Sequence, residues 1–308
     1  MAQRVCIYTH DACLAHDTGP GHVEQPQRLE AVLTALRAGF DDLDWRKAPR
    51  AGRRELLRVH TPELVELVLG THQEGVVPLD ADTMLSPGSA EAALRAAGAT
   101  LAAVDAACTT EATRAFCAIR PPGHHATADT AMGFCLFNNI AIAAAHACEA
   151  HGLRRVVIVD FDVHHGNGTQ AIFERDRRVL YVSSHQSPLY PGTGEVDLLR
   201  ARNIRNAPLP PGTGSARFRQ AWSEVLLPVI EDFHPQLILV SAGFDAHWRD
   251  PLAHFELDAE DLGWLTAELV RIADQHAWGR VVSALEGGYD LQALAACSVA
   301  HVGALRAA

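Results

Sequence analysis

The amino-acid sequence predicts a three-layer α/β fold, in which a parallel sheet lies between helices on both faces. Short runs of β-branched and apolar residues are almost continuously hydrophobic, as expected for strands that are covered on both sides. These runs alternate with longer stretches of helical pattern, which is typical of a parallel sheet with helical connections. The predicted strands are Val5–Tyr8, Phe116–Ile119, Val156–Val159, Val179–Val182, Leu237–Val240 and Val281–Leu285.

The predicted helices fill the intervals between these strands. The first, Gln25–Ala38, places Leu29, Val32, Leu33 and Leu36 at helical spacing. No linker rich in proline, glycine or serine divides the chain, so we expect one domain over residues 1–308. The other predicted helices are Ser89–Ala107, Asn138–His151, Ala216–Phe233, Ala259–His276 and Leu291–Leu305.

Composition narrows the class of protein. The formal net charge is −11 and the sequence has no basic stripe, which argues against a nucleic-acid binder. Seven cysteines without a CxxC pair indicate reduced thiols in a cytosolic protein rather than a disulfide frame or a cysteine zinc site. There is no secretory hydrophobic segment and no apolar stretch that could cross a bilayer. We therefore expect a cytoplasmic enzyme without a membrane partner.

Polar, glycine-bearing segments follow five of the predicted strands. The carboxyl ends of parallel strands share one edge of the sheet, and ligands bind in the crevice there. We therefore expect these segments to converge on one site. They are Arg120-Pro-Pro-Gly-His-His125, Asp160-Phe-Asp-Val-His-His-Gly-Asn-Gly168, Ser183-Ser-His185, Ser241-Ala-Gly-Phe-Asp245 and Glu286-Gly-Gly-Tyr-Asp290.

The segment from Asp160 to His164 has the spacing of a metal site. In an extended backbone the side chains of Asp160, Asp162 and His164 point to the same side. A carboxylate and an imidazole placed in this way can bind one borderline metal ion together. Asp245, at the end of another strand, is the natural third ligand. An Asp-His-Asp set that leaves one coordination position of the metal free would form a catalytic site rather than a structural one. The spacing alone is equally compatible with a hydrogen-bonded polar turn.

Two further segments carry groups for acid–base and oxyanion chemistry. His124 and His125 follow a stiff Pro-Pro-Gly loop, and histidine titrates near neutral pH. Asp160 and Asn167 are candidates to orient their second nitrogens. Tyr289 follows two glycines and could donate to a developing oxyanion, although a packing role is the alternative.

The remaining glycine-bearing segments are less specific. Gly133-Phe-Cys-Leu-Phe-Asn-Asn139 precedes a helix that one of its asparagines could cap. Its Phe134 either lines a substrate channel or packs in the core. Pro191-Gly-Thr-Gly194 and Pro210-Pro-Gly-Thr-Gly214 lack the Lys-Ser/Thr ending of a phosphate loop, so nucleotide binding is not expected.

Together these segments resemble the histone deacetylase and acetylpolyamine amidohydrolase family. They occur in the family's order and cover most of the chain. His22-Val-Glu-Gln-Pro-Gln-Arg-Leu29 also resembles a variant of the family's early His-Pro-Glu motif, with Val23 in place of proline. The matching segments are Arg120–Ala126, Gly133–Asn139, Val159–Thr169, Ser241–His247 and Glu286–Tyr289.

The resemblance implies the arginase–deacetylase fold, with a parallel sheet of about eight strands between helices. It implies Zn²⁺ on Asp162, His164 and Asp245, and His124 with His125 as the acid/base pair. The other implied assignments are Tyr289 as carbonyl polariser, Asp160 as partner of His124, Asn167 as partner of His125 in the manner of the class II branch, and a structural K⁺ near Asp160, Asp162, His164, Ser183 and Ser184.

The same resemblance implies an acyl channel walled by Gly133, Phe134 and Leu252. The polyamine-selective animal member of the family resembles this chain around Asp250-Pro251 but has a glutamate next, where this chain has Leu252. A leucine cannot supply the negative charge that selects a distant ammonium group. This position therefore favours acetyl-lysine over an acetylated polyamine.

The predicted activity is hydrolysis of the acyl-amide bond of acetyl-lysine or a related acylated amine by metal-activated water. The alternatives are an acetylpolyamine amidohydrolase, a two-manganese ureohydrolase on the same fold, and a non-catalytic acyl-lysine binder. Asn167 and the tandem histidines disfavour a second manganese, and the intact ligand set with Tyr289 disfavours a binder. The residues do not determine the physiological substrate or the oligomeric state, so a homo-oligomer stays open.

Overall fold

The computed structural model describes residues 4–70, 75–109, 113–196 and 202–307. Eight parallel strands form the central sheet in the order β2-β1-β5-β10-β9-β6-β7-β8, and two short strands form a separate antiparallel pair. The strands are β1 (Val5–Thr9), β2 (Asp44–Lys47), β3 (Val77–Pro78), β4 (Met84–Leu85), β5 (Arg114–Cys117), β6 (Val156–Asp160), β7 (Val179–Gln186), β8 (Ile204–Leu209), β9 (Leu237–Ala242) and β10 (Val281–Leu285).

Helices cover both faces of this sheet, as the arginase–deacetylase fold requires. Helix α4 packs on α5, and α10 packs on both α1 and α9. The helices are α1 (Pro26–Gly39), α2 (Arg53–Leu56), α3 (Pro62–Leu69), α4 (Ser89–Cys108), α5 (Asn139–Ala150), α6 (Asn167–Phe173), α7 (Ser215–Ala221), α8 (Leu227–Phe233), α9 (Ala259–His276) and α10 (Leu291–Arg306), with a 3-10 turn at Asp11–Leu14 and a π turn at Trp222–Leu226.

The sequence analysis found the six strands in the middle of the sheet and missed its two edges. Strands β2 and β8 are partly exposed, so neither shows the continuous apolar run that marks a covered strand. The strand predicted at Phe116–Ile119 is displaced by two residues. It begins at Arg114, whose charged side chain is buried because it donates to the Leu305 carbonyl and to Asp274.

The single helix predicted over Ala216–Phe233 is divided into α7, a π turn and α8. Pro228 lies in the first turn of α8 and has no N–H to donate to the preceding turn. The Leu227 N–H donates instead to the Trp222 carbonyl, five residues back, which produces the wider turn. Helix α5 begins as expected, because the Asn138 side chain accepts a hydrogen bond from the Ala141 N–H.

The sheet order explains where the polar segments meet. The five strands that precede them, β5, β10, β9, β6 and β7, are consecutive neighbours in the sheet. All five run in the same direction, so their carboxyl ends form one continuous edge. Among the described residues, none of the helices combines the length and apolar character needed to cross a bilayer. One domain over residues 1–308 stays a prediction, supported by the single sheet that these strands share.

Candidate active site

Asp162, His164 and Asp245 lie together at the carboxyl edge of the sheet. The His164 Nδ1 is 3.0 Å from the Asp162 Oδ1 and 3.1 Å from the Asp245 Oδ2. One ligand atom from each residue lies within 4.8 Å of the other two. All three side chains are buried. The structure therefore brings together the three residues that the sequence assigns to a metal.

Neighbouring backbone holds the two carboxylates in place. The Val163 N–H donates to the Asp245 Oδ1 at 3.0 Å, and the Gly287 N–H donates to the Asp162 Oδ2 at 2.9 Å. A Cβ at Gly243 would collide with Asp162, and one at Gly287 would collide with Asp245. The ends of β9 and β10 therefore need glycine because the carboxylates occupy the space of a side chain.

The charges of this cluster fit a bound cation. A buried carboxylate is costly unless an opposite charge compensates it, and this cluster contains two. Burial lowers the pKa of His164, but the hydrogen bonds to Asp162 and Asp245 outweigh burial and raise it to about 10. A divalent metal would supply the same compensation. Two carboxylates and one imidazole suit Zn²⁺ or a similar ion and leave a position for water or substrate.

His124 is held by carboxylates on two sides. Its Nδ1 lies 3.0 Å from the Asp160 Oδ2, which also accepts from the Tyr181 hydroxyl at 3.0 Å. Its Nε2 lies 3.9 Å from the Asp162 Oδ2. Its backbone N–H donates to the buried carboxylate of Glu286 at 3.2 Å. The ring is thereby fixed between the metal cluster and the end of β6.

His125 has a different partner and a defined tautomer. Its Nδ1 lies 2.8 Å from the Asn167 Oδ1, and the Asn167 Nδ2 faces the Met132 sulfur at 3.4 Å. A thioether sulfur only accepts, so the amide nitrogen must face it and the amide oxygen must face the histidine. His125 then carries its proton on Nδ1 and keeps a lone pair on Nε2.

The two adjacent histidines have pKa values that move in opposite directions. Burial opposes the charged form of His124, but Asp160 and Asp162 outweigh burial and raise its pKa to about 10. Burial and the neighbouring His124 lower the pKa of His125 well below its usual value. At neutral pH the pair therefore combines one protonated and one neutral ring, which is the arrangement that separates an acid from a base.

Tyr289 completes the polar end of the site. Burial raises the pKa of its hydroxyl well above the usual value, so the side chain stays a hydrogen-bond donor. The Arg28 guanidinium lies 4.8 Å from the centre of its ring. The Tyr289 N–H donates to the Asp250 Oδ2 at 2.7 Å, while the Leu252 N–H donates to the other oxygen of the same carboxylate at 3.0 Å. Asp250 therefore positions two residues of the site together.

A cavity of about 240 Å³ opens onto these groups. Phe134 has a positive φ of 66°, and its ring centre lies 5.8 Å from that of Tyr289 and 4.9 Å from that of His22, both in edge-to-face orientation. Phe134 therefore lies in the wall of this cavity, and its role in a substrate channel stays a prediction. The lining residues are Asp82, His125, Gly133, Phe134, His164, Leu189, Tyr190, Leu252 and Tyr289.

The family model described as histone deacetylase domain matches residues 22–305 of this chain. The chain belongs to the histone deacetylase family. Members of this family are metalloenzymes that hydrolyse amides, and the candidate metal cluster lies within the matched residues.

Two relatives and one solved structure illustrate this membership. A histone deacetylase-like amidohydrolase of Pseudomonas aeruginosa is 39% identical over 329 residues, covering 98% of this chain and 86% of the relative. A human polyamine deacetylase is 41% identical over 291 residues, covering 89% of this chain and 43% of the relative. The solved HDA15 HD domain has a TM-score of 0.92 and 35% identity, covering 98% of this chain and 88% of the solved one.

The residues assigned to potassium in this deacetylase lie beside the metal cluster. Strands β6 and β7 are neighbours, and Asp160 is paired with Ser183. The side chains of the two serines have other partners: Ser183 contacts His185 at 3.0 Å, and Ser184 accepts from the Trp222 indole at 3.1 Å. These contacts leave the serine main-chain carbonyls and the remaining hydroxyl lone pairs open to an ion, and K⁺ stays a prediction.

Sequence analysis missed several residues of the deacetylase site. The ring centre of Tyr190 lies 5.1 Å from that of His125, yet Tyr190 directly precedes Pro191–Gly194, a segment that was assessed only for nucleotide binding. Asp82 lies at the cavity but comes from a polar stretch without a recognisable spacing. The sequence did contain a signal for Glu286. This acidic residue directly follows the last residue of β10, just as the acidic residue Asp160 ends β6. Its carboxylate accepts from the Gly123 N–H at 2.6 Å, and burial raises its pKa to about 7.

Proposed function

We propose that this protein is a zinc-dependent deacetylase that hydrolyses the acyl-amide bond of acetyl-lysine or a related acylated amine. One observation carries the proposal. A single cavity is lined by a candidate metal ligand, His164, by the neutral imidazole of His125 and by the protonated hydroxyl of Tyr289. These three groups are what metal-assisted amide hydrolysis requires.

The acid–base work is assigned to the histidine pair. Zn²⁺ bound by Asp162, His164 and Asp245 would polarise the amide carbonyl and lower the pKa of water toward about 7. The Nε2 lone pair of His125 accepts the proton of the attacking water. His124, which is protonated at neutral pH, stabilises the negative charge that develops beside it. The pair then delivers a proton to the nitrogen of the leaving amine.

The remaining residues hold the substrate and the oxyanion. The Tyr289 hydroxyl donates to the carbonyl oxygen as its negative charge grows, which is worth most in a site that excludes water. Phe134 and Leu252 provide apolar walls for the methylene chain of the acylated amine. The Asp250 carboxylate accepts from the backbone N–H groups of Tyr289 and Leu252 and so holds these two residues in a fixed relation to each other.

Acetate release from an acetyl-lysine peptide tests this proposal. The zinc-loaded protein should release acetate, and chelation followed by Zn²⁺ addition should abolish and then restore turnover. Elemental analysis should find one tightly bound zinc at the Asp162 cluster. Two tightly bound manganese ions would contradict the proposal, and so would the absence of turnover on every acyl amide offered.

Acetylated polyamines are the second candidate substrate class. The human polyamine deacetylase is similar to this chain, and Asp82 provides a carboxylate at the cavity that could pair with a distant ammonium group. Against this, the apolar side chain of Leu252 lies in the cavity wall at the position where charge selection is expected. We therefore place acetyl-lysine first.

We also propose a structural K⁺ beside the zinc, held largely by main-chain carbonyls of Asp160, Asp162, His164, Ser183 and Ser184. The pairing of Asp160 with Ser183 supports it, because this brings the ends of β6 and β7 to one place. Replacing K⁺ by a larger organic cation in the buffer should lower the melting temperature. An unchanged melting temperature would contradict a bound potassium.

A further inference from the structure

A second cluster of histidine and aspartate lies far from the candidate active site. Asp105 is in the last turns of α4, His146 is in α5, and His151 follows the end of α5. Helix α5 begins beside the active-site segment at Asn138 and is 12 residues long, so its other end lies about 18 Å away. The proposed deacetylase reaction uses none of these three residues.

The three side chains converge on one point. The Asp105 Oδ1 lies 2.6 Å from the His146 Nε2 and 2.7 Å from the His151 Nε2. One ligand atom from each residue lies within 4.8 Å of the other two, as in the Asp162 cluster. The two imidazole rings are 5.3 Å apart and nearly perpendicular, with an interplanar angle of 84°. Two imidazoles and a carboxylate are thus already gathered around a common centre.

We propose that Asp105, His146 and His151 bind a second divalent transition metal, with Zn²⁺ as the expected ion. Zinc prefers imidazole nitrogen and carboxylate oxygen, and three protein ligands with one water complete a tetrahedron. A zinc–ligand distance of about 2.0–2.1 Å requires the ligand atoms to separate slightly from their present hydrogen-bond distances. A surface cavity of about 210 Å³, lined in part by Asp105 and His146, gives an ion access to the cluster.

The position of the cluster in the fold favours a cation. Helices α4 and α5 pack against each other, and both end at this place. The unpaired carbonyls at a helix C-terminus carry a partial negative charge that stabilises a nearby positive ion. Two such ends and the Asp105 carboxylate therefore add to the attraction. A bound ion would join the C-terminal ends of the two helices.

Arg58 competes with a metal ion for His146 and so limits the affinity of this cluster for zinc. Its guanidinium donates to the His146 Nδ1 at 2.6 Å, which places the imidazole proton on the Nε2 that faces Asp105. A metal on Nε2 requires that proton to move to Nδ1 and Arg58 to withdraw. Arg58 has other partners within reach, because its Nε lies 3.4 Å from Glu149 and its Nη2 lies 3.9 Å from Glu55. The site is therefore weaker than the buried one, and its affinity depends on Arg58.

Metal stoichiometry tests the proposal without using catalysis. The zinc-loaded protein is dialysed against increasing ZnCl₂, and the bound metal is measured by elemental analysis. We expect one further zinc per chain in the wild type and its loss in the double variant H146Q/H151Q and in Asp105→Asn, which keeps the size of the side chain. Arg58→Gln should tighten binding of the second ion, because it removes a positive charge beside a ligand.

The chain provides a matched control in His234 and His276. Their ring centres are 4.9 Å apart, and within the described part of the chain neither histidine is hydrogen-bonded to a carboxylate. The double variant H234Q/H276Q should keep the second zinc. Zinc should also raise the melting temperature of the wild type and of this control but not of H146Q/H151Q. Equal stoichiometry in wild type and H146Q/H151Q, or equal loss in both double variants, would overturn the proposal.

Discussion

The two histidine–aspartate clusters of this chain have similar ligands in opposite surroundings. In the Asp162 cluster all three side chains are buried, and backbone N–H groups hold both carboxylates. In the Asp105 cluster the aspartate side chain is 53% exposed, and Arg58 competes for one histidine. Burial makes the carboxylates of the first cluster depend on a compensating cation and strengthens their electrostatic attraction to it. In the second cluster, solvent screens the same attraction. The comparison indicates that burial and backbone contacts, rather than ligand type, distinguish the two clusters.

The most severe test of this contrast removes a buried ligand. Asp162→Ala or Asp245→Ala should abolish zinc binding at the active site and lower kcat by about 10³ or more, since a metal supplies several kcal/mol of transition-state stabilisation. Asp105→Ala is the matched change in the exposed cluster and should leave turnover near the wild-type value. Elemental analysis measures the zinc content of each variant, and steady-state kinetics measure its kcat. Comparable losses in the buried and exposed variants would show that the clusters do not differ in role.

A second test keeps the metal and removes the oxyanion donor. Tyr289→Phe should retain zinc while lowering kcat by about 10²–10³, the usual cost of one such donor. Tyr190→Phe is the control, because Tyr190 also lines the cavity but is assigned no donor role. Its kcat should stay within a few-fold of the wild type. Near-normal kcat in Tyr289→Phe would mean that Tyr289 only packs beside Arg28 and Phe134.

The pH dependence tests the histidine pair beside the buried cluster. As pH falls through the lowered pKa of His125, that ring gains a proton and can no longer accept one, so the rate falls. As pH rises toward the pKa of His124, about 10, that ring loses its proton and the rate falls again. Bound zinc shifts both limbs toward acid. We expect a bell-shaped profile whose limbs belong to the coupled pair.

The variant Asn167→Asp tests whether His125 is the group that titrates on the acid side of the pH–rate profile. A carboxylate on the Nδ1 of His125 favours its charged form, so the acid limb should move up by about one pH unit or more. Gln220→Glu adds the same charge on an exposed helical position and should leave the profile unchanged. The profile of kcat/KM for each protein provides the measurement. A limb that does not move in Asn167→Asp would exclude His125 as the titrating group.

The sequence predicted the buried cluster because its signals are local. Asp162 and His164 are two residues apart after a covered strand, and the parallel sheet brings Asp245 beside them. The cavity residues Asp82 and Tyr190 come from loops whose path depends on the whole fold, so no spacing indicates them. The Asp105 cluster is equally hidden, because packing of α4 on α5 brings residues 41 and 46 positions apart together. The edge strands β2 and β8 were missed because partial exposure removes the apolar run.

The smallest expected effect concerns the wall of the cavity above the buried cluster. We expect kcat/KM for an acetyl-lysine peptide to exceed that for N-acetylputrescine by about tenfold or more, which is about 1.4 kcal/mol of transition-state preference. Leu252 carries this expectation, since its apolar side chain lies in the wall where a carboxylate would select a distant ammonium group. Leu252→Glu should shift the ratio toward the polyamine, while Leu252→Gln, of similar size and without charge, should not. The net charge of −11 and the Asp82 carboxylate act in the other direction, because both attract a polycation. Parallel kinetics on the two substrates decide between these influences. A tenfold preference of the wild type for N-acetylputrescine would reverse the order and make acetylpolyamine hydrolysis the better assignment.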